Sequence, residues 1–164
     1  MICYIALGSN LGIPQQQLQQ ALKHLAQQAS LQLLKVSSFY QSRALIVEGS
    51  AAQSDYINAV AMVDTTLSAQ KLLQLLQQVE VLQGRERNEK WAARTLDLDI
   101  LLYGEQIINT EMLVIPHSQL QYRNFVIIPL FEIAGAITIP GLGNLSLLAE
   151  KTAVDGLKKL KNYE

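Results

Sequence analysis

Hydrophobic and polar residues alternate along this chain in two rhythms, and the switches between them mark out its elements. Ile2 to Leu7 is an apolar run of strand length, and Gly8-Ser9-Asn10 after it has the residue types of a tight turn. Pro14 suits the first turn of a helix. Leu18, Ala21, Leu22, Leu25, Ala26 and Ala29 then recur at the three- and four-residue spacing of a helical stripe. Leu31 to Tyr40 and Ile57 to Asp64 carry the β-branched and aromatic residues that favour strands. Ser68 is placed to cap a second helix, whose stripe of Leu72, Leu73, Leu76, Val79 and Leu82 is stopped by Gly84. The period then changes to two, because Leu96, Leu98 and Ile100 alternate with Thr95, Asp97 and Asp99. The order β-α-β-β-α-β predicts an α+β, ferredoxin-like core, an antiparallel sheet with helices on one face and the other face left for a site. Beyond Gly143 the pattern is weak, and Lys158 to Lys161 reads as a solvated helix end.

Composition narrows the class without changing the fold. The chain has 164 residues, 49% hydrophobic and 16% charged, which suits a single globular domain spanning residues 1–164. A net charge of −1 argues against a general nucleic-acid surface. The one cysteine, Cys3, sits in the apolar first strand and reads as a small core residue, which suits a reducing, cytoplasmic setting. No apolar run approaches the ~20 residues that span a bilayer, so no membrane association is expected.

Candidate chemistry concentrates in one stretch. Asp97 and Asp99 are two apart in a strand, so they share a face and stand roughly 6–7 Å apart along it. Two carboxylates so placed repel unless a counter-charge lies between them, and oxygen-only ligands favour Mg2+ together with substrate phosphates. An exposed strand face with two solvated aspartates would read the same way in isolation. Immediately upstream, however, Arg85, Arg87, Lys90 and Arg94 bring four of the thirteen Lys and Arg residues into ten positions, with the only Trp, Trp91, among them. Arg grips phosphate oxygens bidentately, and an indole can cover a planar ligand. A cationic segment feeding a two-carboxylate strand is what a metal–polyphosphate site requires. There is no G-x-x-x-x-G-K-[ST] loop and no dinucleotide fingerprint, so side chains and metal must hold the phosphates.

The stretch Lys90-Trp91-Ala92-Ala93-Arg94-Thr95-Leu96-Asp97-Leu98-Asp99-Ile100-Leu101 resembles the signature of the 6-hydroxymethyl-7,8-dihydropterin pyrophosphokinases, folate-pathway enzymes. Tyr4 to Gly12, Val36 to Tyr40, Asp55 to Val60, Ile115-Pro116-His117 with Arg123 and Phe125, and Pro129 to Ala134 agree in order and spacing, over roughly residues 2 to 140. The resemblance implies a Mg-dependent diphosphotransferase with the ferredoxin-like core and C-terminal additions. It would move pyrophosphate from ATP to the dihydropterin hydroxymethyl group. It implies two Mg2+ ions on Asp97 and Asp99, with Arg85 and Arg94 stabilising transferring-phosphate charge. Gln77, Arg87, Lys90, Trp91, Arg94, Ile100, His117 and Arg123 would line ATP. The pterin would lie between Tyr56 and Phe125, with Asn58, Ser42, Leu45, Trp91 and Asp97 completing its pocket. A cytoplasmic monomer is expected.

Three positions depart from the family pattern. Gln41-Ser42-Arg43-Ala44-Leu45 stands where a Thr-Pro motif is usual, Met112 where Arg is frequent, and Ser118 where an aromatic is common. Two other classes compete: a non-catalytic ligand-binding module, and a phosphoryl or nucleotidyl transferase acting on a non-pterin alcohol.

Overall fold

A computed structural model of the chain describes residues 1–43, 55–84 and 96–160. The elements run β1 (Ile2–Ser9), α1 (Pro14–Ala26), β2 (Leu31–Val36), β3 (Tyr40–Ser42), β4 (Tyr56–Thr65), α2 (Ala69–Leu82) and β5 (Asp97–Tyr103). A hairpin of β6 (Ile108–Asn109) and β7 (Val114–Ile115) follows, then α3 (Asn124–Ala134). A second small hairpin, β8 (Thr138–Ile139) and β9 (Gly143–Asn144), leads into α4 (Leu145–Lys151) and β10 (Lys158–Lys159). The main sheet has the order β10-β3-β4-β1-β5, with β2 also on β4, and every pairing is antiparallel. β2 and β3 lie end to end along one edge of β4, so the single strand read over Leu31 to Tyr40 is broken at residues 37–39. Taken as one, they give the ferredoxin-like strand order.

Local chemistry explains the helices. Pro14 opens α1, and the Ser68 hydroxyl accepts the Lys71 N–H to cap α2, satisfying a donor that the first turn leaves without an intrahelical partner. Their stripes, Leu18, Ala21 and Leu25 with Leu72, Leu76 and Val79, pack on one sheet face against Cys3, Ile5, Leu7, Ala59, Ala61, Val63, Leu98 and Ile100. Burying each such Leu or Ile contributes about 1.5–3 kcal/mol, so this layer is the main source of stability. Cys3 is fully buried, and that burial pushes its thiol up to about 11.

The opposite face is not wholly left open. Val126, Ile127 and Leu130 of α3 and Leu145 of α4 cover Tyr4, Val60, Leu101 and Leu102. Only the end of this face carrying Gly8, Asn58, Asp97 and Asp99 remains for chemistry, since these residues share the parity of Tyr4 and Val60 on their strands. The C-terminal additions are therefore structural cover for half of the sheet. Lys158 and Lys159, expected at a helix end, instead form β10 opposite Gln41 and Tyr40.

Candidate active site

Three adjacent strands set the floor of the site by register alone. Gly8 on β1 is opposite Asn58 on β4 and opposite Asp97 on β5, while Ala6 is opposite Asp99. Asn58, Gly8 and Asp97 thus form a row across the sheet, with Tyr40 next in line beyond Asn58. Paired residues of neighbouring strands stand about 4.5–5.5 Å apart, so the row spans a length comparable to a fused bicyclic ring and its substituent. Gly8 keeps the middle flat: a Cβ there would lie 3.2 Å from Asn58 Oδ1 and 3.8 Å from Tyr56 Cδ1.

The Asn58 amide has a defined orientation. It is 5% exposed, and its Nδ2 donates to Ser42 Oγ at 2.7 Å. Its Oδ1 is left beside Gly8, facing the floor as an acceptor. The buried Ser42, in a segment that departs from the family pattern, is thereby tied to the same amide. Tyr56 is half-buried on this face, two positions before Asn58 on β4.

Asp97 and Asp99 are both half-buried on the open face, as the alternation requires. His117 follows β7, its N–H bonded to Leu101 O, and this hangs the imidazole beside β5. His117 Nε2 is 3.7 Å from Asp99 Oδ2, and Nδ1 accepts the Gln119 N–H. That bond assigns the proton of the neutral ring to Nε2, the nitrogen facing Asp99. Burial first, and then the Arg123 cation, hold the imidazole below its ordinary 6.5, against the opposing pull of Asp97. His117 is therefore neutral at pH 7. Arg123 precedes α3 and its guanidinium lies 5.7 Å from the centre of the Phe125 ring, a cation–π contact. Both residues are half-buried at the site end of α3.

The donor set suits a hard divalent ion. Two carboxylates on one strand face match the usual Mg2+ complement of one or two protein ligands, the rest being water and phosphate oxygens. Among the described residues no three His, Cys, Asp or Glu side chains converge as a closed metal cage. Such an arrangement leaves coordination positions for a substrate.

Two assigned residues stand elsewhere. Ile100 is 2% exposed in the helix-side core, because its strand parity is that of Leu98, so its side chain is not on the aspartate face. Gln77 is half-buried on α2, also on the helix side, where it lines a shallow cavity of about 680 Å³ with Gln74, Gln78, Val81 and Leu82. Leu45, Arg85, Arg87, Lys90, Trp91 and Arg94 lie outside the described residues.

Two carboxylates not singled out from the sequence support the site. Glu80, 2% exposed, accepts the N–H of Leu98, the residue between the two aspartates, at 2.9 Å. Its position four residues after Leu76 puts it on the buried stripe of α2, a readable signal. Glu132 accepts the Ser38 N–H and the Tyr40 hydroxyl, both at 2.5 Å. It is the only charged residue in α3, again a signal in the sequence.

Comparison with known proteins agrees with this geometry. Residues 4–135 match the family model of 7,8-dihydro-6-hydroxymethylpterin-pyrophosphokinase (HPPK). The chain is 49% identical over 157 residues to the 2-amino-4-hydroxy-6-hydroxymethyldihydropteridine pyrophosphokinase of Haemophilus influenzae, covering 96% of each. It is 41% identical over 157 residues to the enzyme of that name from Pseudomonas aeruginosa, covering 96% of this chain and 95% of that one. Among solved structures it is similar to Plasmodium falciparum HPPK-DHPS with pteroate, at a TM-score of 0.72 and 12% identity, which bears on the fold. The match covers 92% of this chain and 42% of that longer one. The chain belongs to the 7,8-dihydro-6-hydroxymethylpterin-pyrophosphokinase family.

Proposed function

We propose that the chain transfers the pyrophosphoryl group of ATP to 6-hydroxymethyl-7,8-dihydropterin in folate biosynthesis, giving the pterin diphosphate and AMP. The observation that carries this reading is the row Asn58–Gly8–Asp97, an oriented amide and a carboxylate on either side of a bare glycine floor. A flat pterin laid over Gly8, between Tyr56 and Phe125, offers ring N–H groups to Asn58 Oδ1. Its hydroxymethyl arm then points along the row toward Asp97.

The hydroxymethyl oxygen bonds to the β-phosphorus, the bridge between the α- and β-phosphates breaks, the alcohol proton is released, and AMP leaves. This chemistry is mainly positioning and charge stabilisation. Asp97 and Asp99 would hold two Mg2+ ions, which supply neutralisation of phosphate charge and orientation of the attacking oxygen. Neutral His117 presents its Nε2–H next to Asp99, and Arg123 adds positive potential on the same side. Arg85 and Arg94 grip the transferring phosphates, while Arg87, Lys90 and Trp91 cover the nucleotide and exclude water. β5 ends the sheet order and packs against α2. A nucleotide draped over that edge can reach Gln77 from the aspartates. Leu45 is assigned to the pterin pocket by its place in the family pattern alone. No helix among the described residues is long and apolar enough to cross a membrane, in keeping with an enzyme acting in the cytoplasm.

Incubation with Mg-ATP and the dihydropterin, followed by separation of nucleotides, tests the assignment. AMP and pterin diphosphate should appear in equal amounts. ADP as the main nucleotide would replace this reading with an ordinary kinase, and no turnover would favour a binding module.

A further inference from the structure

The segment after α4 runs from one side of the pterin slot to the other. It starts beside α3, where Asn124 Nδ2 donates to Ala153 O at 3.0 Å and Asp155 O at 3.2 Å. Asn124 stands between Arg123 and Phe125, so this fastening is at the aromatic wall of the slot. The chain then turns at Gly156, whose φ is +74°, close to Arg43. It ends as β10 on β3, with Lys158 opposite Gln41, Lys159 opposite Tyr40, and the Leu160 N–H bonded to Phe39 O at 2.8 Å. Lys159 Nζ also lies 3.7 Å from Glu132 Oε1, the carboxylate that holds the Tyr40 hydroxyl. β3 in turn carries Ser42, which orients Asn58.

We propose that residues 153–160 form a strap that sets the width of the pterin slot, with Asn124 as the positioning residue that fastens it to the Phe125 wall. This rests on the pterin reading of Phe125, Tyr56 and Asn58. The strap lies beyond residue 135, where the family match ends. Its two attachments are to the two walls that must be held a ring's thickness apart. A slot held at the right width by the fold binds more tightly than one that must close, because less freedom is lost on binding. Asn124 and the strap therefore act on pterin affinity and leave the phosphate chemistry to the aspartates and arginines.

Two variants at separate points of the strap test this. Asn124→Asp removes both N–H donors and faces a carboxylate to two carbonyls, yet an acid in the first turn favours the helix itself. Gly156→Ala forces a side chain into a left-handed conformation that L-residues disfavour. Each is measured for dihydropterin Kd by calorimetry, for KM of both substrates and kcat by AMP release, and for Tm. The strap predicts pterin Kd and KM about fivefold or more above wild type in both variants, with ATP KM and kcat changed less than twofold. Lower Tm with unaltered pterin Kd would overturn the proposal and make the strap purely structural. If wild type itself releases no AMP, the enzymatic reading falls, while the calorimetric Kd of the variants still decides the strap.

Discussion

Gly8→Ala replaces a hydrogen with a methyl group on the floor of the site, and the structure fixes what that carbon meets. The backbone does not resist, since Gly8 is not among the glycines with positive φ. The new methyl would stand 3.2 Å from Asn58 Oδ1, closer than ordinary van der Waals contact, and 3.8 Å from Tyr56. Asn58 must give by a few tenths of an ångström, straining its 2.7 Å bond to Ser42. Overpacking of this kind costs about 1–3 kcal/mol. Among the described residues no other atom beyond the chain neighbours lies within 4 Å of that carbon, so the fold should lose the lower figure, about 2–4 °C in Tm for a chain of this size. The ligand loses more. A ring lifted from the floor forfeits the Asn58 edge contact, a loss of roughly 1–3 kcal/mol when a polar partner is left unpaired. That is about 5- to 150-fold in pterin affinity. Calorimetric titration with the dihydropterin, beside Mg-ATP titration and a melting curve, reads the three effects separately. Unchanged pterin affinity, or an equal fall in ATP affinity, would refute the placement of the ring over Gly8.

Asp97→Asn and Asp99→Asn should each lower kcat by on the order of 10²-fold or more with Tm unchanged or raised, because one of two like charges is gone; kinetics across a Mg2+ titration checks this. Arg85→Ala and Arg94→Ala should lower kcat and kcat/KM together, as loss of a contact made only in the transition state does, while Trp91→Ala should act mainly on KM. Burial, with the Glu132 carboxylate second, holds the Tyr40 phenol well above its ordinary 10.0. A raised folded value means stability that is full below pH 10 and lost as pH rises further. Tyr40→Phe should therefore flatten the alkaline limb of a plot of unfolding free energy against pH, and an unchanged limb would remove Tyr40 from that loss.

What the sequence made legible follows from how local each signal is. The Asp97–Asp99 face could be read because strand parity is a property of consecutive residues, and Leu96, Leu98 and Ile100 fix it. The Ser68 cap and the Gly84 stop are likewise local. β10 could not be read: Lys158 and Lys159 have no strand character of their own and are extended only because Gln41 and Tyr40 lie opposite. The break between β2 and β3 depends on Ser37, whose N–H bonds Val60 O and whose hydroxyl accepts the Val60 N–H, a partner far away in sequence. The helix-side burial of the Ile100 side chain follows from the same strand parity, whereas a position in a signature says which residue recurs, not which way it points. Glu80 and Glu132 have roles set by partners distant in sequence, Leu98 and Tyr40, although each sits where its helix is otherwise apolar.

The central claim is that the open end of the sheet carries a displacement at the β-phosphorus of ATP. Turnover of ATP labelled with ³²P at the β-position, in the presence of Mg2+ and 6-hydroxymethyl-7,8-dihydropterin, measures it directly. The account predicts that the label leaves the nucleotide and is recovered in the pterin diphosphate, in amounts matching the unlabelled AMP released. Label retained in ADP, or released with AMP as free pyrophosphate or phosphate, would contradict it.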